Sequence, residues 1–182
     1  MAMKRYADDY ETVVAKDEKG NEKNIAVYNR AYFEIKLDEK GIVRFRRNCF
    51  LLLAAIVVLH ISGGFVSNPG MYQLYVALPY ALAFFPLAYM AAGILRLPKK
   101  KRKYRRDEIG LSFDRLKTSS IILIILLGMG VLGELTFLIF FSIGFRNVLD
   151  TVYLVIEVFT GAAVYFIITL RRQIHVQTCA EQ

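Results

Sequence analysis

What most limits this chain is the alternation of long apolar runs with borders rich in Lys and Arg. An apolar run of about 18 residues or more has the length that crosses a bilayer core as a helix. Four such runs are read, at about 49–66, 72–97, 119–145 and 148–170. The expected fold is therefore an all-α membrane protein, an antiparallel four-helix transmembrane bundle over residues 48–172. Residues 1–47 form a small N-terminal segment before it, and 173–182 a short tail after it.

The loop at 98–118 sets the orientation. From Arg96 to Lys117 there are ten Lys or Arg against Asp107, Glu108 and Asp114, so this stretch holds an excess of seven in a net charge of +8. The segment before Cys49 is nearly balanced. Basic residues also stand at the entry to the first run (Arg44, Arg46, Arg47) and the exit of the last (Arg171, Arg172), whereas the other two connections contain only Arg146. The bias of Lys and Arg toward the inside then puts both termini on the cytoplasmic side, in agreement with an even number of crossings, which requires the termini to share a side. In a soluble chain, Lys99–Arg106 would read as a nucleic-acid patch. Between two spans it is an inside anchor instead, and no nucleic-acid partner is expected. Lys99, Lys100, Lys101, Arg102, Lys103, Arg105 and Arg106 are the candidate contacts for anionic lipid headgroups or a protein partner. Cys49 and Cys179 form no disulfide framework. Met1-Ala-Met-Lys-Arg leads to Asp8-Asp9 rather than to the apolar stretch of a signal peptide.

In the N-terminal segment, Glu11–Ala15 and Asn24–Tyr28 read as strands joined by a turn at Gly20-Asn21. Phe33, Ile35 and Leu37 alternate with charged residues, and Asp38–Gly41 offers a second turn before Ile42–Phe45, giving a second hairpin. The alternative is a helix over 31–40 stopped by Gly41. The second run contains Pro79 and Pro86, each of which frees a carbonyl that a neighbouring helix must cover, so this span is expected inside the bundle.

Three ionisable residues lie within the runs: His60, Glu134 and Glu157. An intramembrane charge costs at least ~2.5 kcal/mol on insertion scales and is by default a candidate site. At about 1.5 Å per residue, His60 lies roughly 9 Å, Glu157 roughly 14 Å and Glu134 roughly 17 Å below the outer ends of their spans. Asp150, Tyr153, Glu157 and Gly161 form one polar stripe. The sharper reading is a proton- or cation-binding site, and the plainer one is three interhelical hydrogen-bond partners. Gly128-Met-Gly130-Val-Leu-Gly133 spells a dinucleotide fingerprint, but mid-span it reads as close helix packing, with Gly161 and Ala162 as candidate partners. No nucleophile–base pair or metal-ligand spacing is found, so no enzyme and no cofactor are expected.

Asn68-Pro-Gly70, Tyr75-Val-Ala-Leu-Pro-Tyr80 and Glu108 with Arg115-Leu-Lys together resemble a pattern in uncharacterised bacterial four-span membrane proteins with a polar N-terminal segment. The resemblance implies a multi-pass protein of a bacterial cytoplasmic membrane and no particular activity. The expected function is a non-catalytic accessory or scaffold subunit that contacts a protein partner, a second copy or anionic lipid. The alternative is an oligomeric transporter or channel subunit using Glu134 and Glu157.

Overall fold

The computed structural model describes residues 2–16, 22–141 and 148–179. The expected turn at Gly20-Asn21, the link Gly144–Asn147 and the end of the third run lie outside these. The first hairpin forms as expected. Strand β1 (Tyr10–Lys16) pairs antiparallel with β2 (Glu22–Tyr28), with Val13 opposite Ile25. Tyr10, Tyr28 and Tyr32 meet edge to face at 5.4 and 5.1 Å, fixing the base of the hairpin.

The second hairpin does not form. Strand β3 (Phe33–Ile35) follows the period-two pattern, but its partner is β4 (Val176–Thr178), far along the chain. On its other edge, Phe33 and Tyr104 of the basic loop exchange backbone hydrogen bonds of 2.8 Å in both directions. Three separate segments are thereby joined in one small sheet. Ile42–Phe45, expected as a strand, belongs to helix α1 (Glu39–Gly64). The Asp38 side chain accepts the Gly41 N–H at 3.0 Å as an N-cap. Ile42, Phe45, Cys49 and Ile56 then fall on one buried helical face. The helix over 31–40 is excluded by the same strand and cap, and α1 runs through the expected boundary at 47/48.

Helix α2 (Leu74–Leu95) is preceded by a single 3-10 turn at Pro69–Tyr72. Its buried stripe, Val76, Pro79, Ala83, Pro86, Met90 and Gly93, repeats every three or four residues and includes both prolines. Residues 98–105 are the irregular part of the basic loop. The chain then re-enters helix at α3 (Arg106–Ile109), passes through a π-helical turn at Gly110–Asp114 and continues as α4 (Arg115–Phe140). Most of the second half of the expected loop is therefore helical. Helix α5 (Val148–Arg172) completes the set.

Helix α4 packs along α2 on one side and α5 on the other, and α1 packs on α5. Arg171 of α5 reaches the carbonyl of Phe113 just before α4, whereas Asp150 at the other end of α5 lies near Glu134, so α4 and α5 are antiparallel. Toward the basic loop the interior is apolar, built around Phe45, Leu87, Ile94, Phe113, Leu116 and Ile167. Around the perimeter, apolar side chains face outward: Leu51, Val58, Phe85, Leu132 and Phe166 are each 60% or more exposed. A helix apolar on its outer surface as well as its inner one has lipid as its natural solvent. Among the described residues, three helices are long and apolar enough to cross a membrane: Leu74–Leu95, the continuous 35-residue Arg106–Phe140, and Val148–Arg172. Helix α1 is not among them, and its apolar part begins only at Cys49.

Candidate functional site

The buried carboxylates of the spans lie toward the end of the bundle away from the basic loop. Helices α4 and α5 present Glu134 and Glu157 to their shared interface, both buried. On α4, Gly130 stands one turn before Glu134, and a Cβ added there would lie 3.7 Å from Glu157 Oε2. Gly130 therefore faces the Glu157 carboxylate rather than Gly161 or Ala162, and Gly161 has nothing within 4 Å of its Cβ position. The stripe on α5 supplies two more members. The Tyr153 hydroxyl donates to Glu157 Oε1 at 3.2 Å. Asp150, fully buried in the first turn of α5, stands close enough to Glu134 for the two charges to act on each other, as do those of Glu134 and Glu157.

The segment between α1 and α2 closes the cluster from above. Asn68, 1% exposed, donates through Nδ2 to Glu134 Oε1 at 3.1 Å. Gly70 lies so close that a Cβ would sit 2.7 Å from the same oxygen, so any larger residue there would push the Glu134 carboxylate aside. The sequence marks Asn68-Pro-Gly70 as a turn. Nothing in it signals that the turn folds inward onto a glutamate.

His60 is buried, but beside the cluster rather than in it. Its ring packs against Tyr80 at 4.4 Å and Phe84 at 4.6 Å, and the Tyr80 hydroxyl donates to the His60 carbonyl at 2.9 Å. Tyr80 in turn contacts Tyr153 at 6.4 Å. His60 thus reaches the carboxylates only through two aromatic rings, and neither ring nitrogen has a hydrogen-bond partner among the described residues. Within the described residues α4 runs to Phe140, and Glu134 lies roughly 9 Å before that residue.

Of the six carboxylate oxygens of Glu134, Glu157 and Asp150, four, Glu134 Oε2, Glu157 Oε2 and both of Asp150, have no hydrogen-bond partner among the described residues. Glu134 and Glu157 cannot both stay charged in a buried site uncompensated, because each loses its hydration and repels the other. Part of their charge has to be neutralised by a bound proton or cation. Among the described residues, no three His, Cys, Asp or Glu side chains stand in an arrangement that holds a metal ion.

Asn68→Leu is expected to destabilise the protein by about 1–3 kcal/mol, since it strips the one donor from a buried carboxylate oxygen. A lowered melting temperature in detergent reads this out, and an unchanged one would show that the contact contributes nothing.

In the basic tract, Lys101 pairs with Glu34 at 3.1 Å, Arg102 with Glu108 at 2.6 Å, and Arg106 with Asp9 at 3.6 Å. Such pairs are worth little while solvated. Arg105 lies by the Tyr10 hydroxyl, and Lys99, Lys100 and Lys103 are exposed. The tract is thus partly occupied with holding the N-terminal segment, through Tyr104 above all, which is buried within it.

No protein-family model, no curated protein and no solved structure matches the chain, so its site is interpreted from its own chemistry.

Proposed function

We propose that the chain is a four-span protein of a bacterial cytoplasmic membrane, with both termini inside, acting as a subunit of an oligomeric transporter or channel. The convergence of Glu134, Glu157 and Asp150 carries this reading. A cluster that must bind a proton or cation to stay buried is suited to releasing it when its surroundings change. Helix α1 serves as the fourth crossing. Its part from Cys49 to Gly64 rises about 24 Å, close to a hydrocarbon core, and Arg44, Arg46 and Arg47 reach back to the headgroups. Four spans are few for a carrier, which favours assembly of several copies. Proton flux into proteoliposomes tests the reading. Its loss on Glu134→Gln with Glu157→Gln supports it, and flux that is absent in the wild type or survives in the variant sinks it.

The orientation has its own test. Tyr72→Cys, at a side chain 86% exposed beyond α1, should be labelled by an impermeant maleimide in intact cells, and Thr178→Cys only after lysis. The reverse pattern would overturn the topology.

A second reading, the accessory or scaffold subunit, rests on a different observation. Strands β3 and β4 and the basic loop unite three segments on one side, and the β1–β2 hairpin above them leaves Val13, Val14, Ile25 and Val27 exposed. Two-stranded hairpins are marginal alone and gain from a covering surface. Crosslinking followed by tandem purification separates the readings, since a scaffold captures a defined partner and a self-assembling transporter captures itself.

A further inference from the structure

At the basic-loop end of the α4–α5 interface lies a groove of about 370 Å³ that belongs neither to the carboxylate cluster nor to the 99–106 tract. Its mouth carries Lys117 from α4 and Arg171 and Arg172 from α5. Ile121, Ile124 and Ile168 line it toward the middle of the spans. The helices run antiparallel, so all three cations sit at one level and all three isoleucines one to two turns deeper.

Arg171 is held in place. Its Nε donates to the Phe113 carbonyl at 3.4 Å, a second guanidinium nitrogen donates to the Ile174 carbonyl at 3.3 Å, and the group lies 5.4 Å over the Phe113 ring. Lys117 and Arg172 are exposed and stand on either side. Asp114 is the acidic neighbour of Arg171. Counting it against the three cations leaves an excess of two positive charges at the mouth.

We infer that this groove is a binding site for one anionic phospholipid, its phosphate between Lys117, Arg171 and Arg172 and an acyl chain along Ile121, Ile124 and Ile168. The charge excess selects an anionic headgroup over a zwitterionic one. The apolar floor selects a lipid over free phosphate, which has nothing to place there. The site rests on the membrane-spanning reading of α4 and α5 but not on proton binding, and its test reads no flux.

The purified protein in detergent is titrated with phosphatidylglycerol, with phosphatidylcholine of the same acyl chains, and with inorganic phosphate. Retention is followed by native mass spectrometry, and melting temperature in parallel. Phosphatidylglycerol is expected to be retained at one copy per chain and to raise the melting temperature, with no shift from the other two. Lys117→Gln with Arg172→Gln should weaken its retention roughly tenfold or more. Arg171 is left intact because it also anchors the Phe113 and Ile174 carbonyls. Lys99→Gln with Lys103→Gln, which removes the same charge from the neighbouring tract, should keep full retention. Equal retention of both lipids, a shift reproduced by inorganic phosphate, or equal losses in the two variants would overturn the assignment.

Discussion

Converting Glu134 and Glu157 together to Gln is expected to lower proton flux at least tenfold while raising the melting temperature. Both effects follow from one cause. Glutamine keeps the shape of glutamate, and its carbonyl can still accept from Asn68 Nδ2 and the Tyr153 hydroxyl, so the packing around Gly70 and Gly130 is preserved. It cannot exchange a proton. It also removes two groups whose ionised forms lose hydration and repel each other when buried, so the folded state no longer depends on their binding a proton. Flux assays in proteoliposomes and thermal unfolding in detergent give the two readings. A variant that melts lower than the wild type would mean the carboxylates hold a structural cation, and unchanged flux would remove them from any transport path.

The second large effect concerns the three glycines of Gly128-Met-Gly130-Val-Leu-Gly133. Gly133→Ala is expected to destabilise the bundle by about 1–3 kcal/mol, and Gly128→Ala to be neutral or to stabilise by up to about 1 kcal/mol. At Gly133 a Cβ would stand 2.9 Å from the backbone carbonyl of Tyr75 and 3.3 Å from Val76 Cγ2. That carbonyl is the one Pro79 releases four residues later, and α4 covers it by backbone approach. Moving it aside would separate α2 from α4 along their main contact. Gly128 has nothing within 4 Å, so alanine there gains only its better helix propensity. Melting temperatures of the two variants, measured side by side, should differ by several degrees, and equal values would refute the close approach.

The second, third and fourth apolar runs are legible in the sequence as long helices because hydropathy acts locally, whereas the first falls in a helix that begins ten residues earlier, at Glu39. The second hairpin shows where local information stops. Asp38-Glu-Lys-Gly41 has the chemistry of a turn and equally that of a helix start, since aspartate caps both. Only the spacing of Ile42, Phe45, Cys49 and Ile56, read onward into the span, decides for the helix. The alternation of Phe33 and Ile35 correctly marks a strand, yet no local pattern names a partner as distant as Val176–Thr178. The candidate site divides the same way. Glu134 and Glu157 stand out as charges within apolar runs, and Asp150 and Tyr153 follow from helical spacing. Asn68 does not, because an asparagine before Pro-Gly is ordinary turn chemistry until the turn is seen folded inward. His60 stood out for the same reason as the glutamates, but its ring stacking on Tyr80 and Phe84 keeps it out of hydrogen-bonding reach of them.

Joining β3 to β4 also imposes an order of events. Strand β3 precedes α1 and β4 follows α5, so the sheet cannot close until α1 to α5 have been synthesised and brought into register. Until then β3 offers unpaired backbone and the Ile35 side chain, 1% exposed once the fold is complete, to whatever is near. Closure of this small sheet thus marks the point at which α1 to α5 have come together, and an exposed β3 edge distinguishes copies in which they have not.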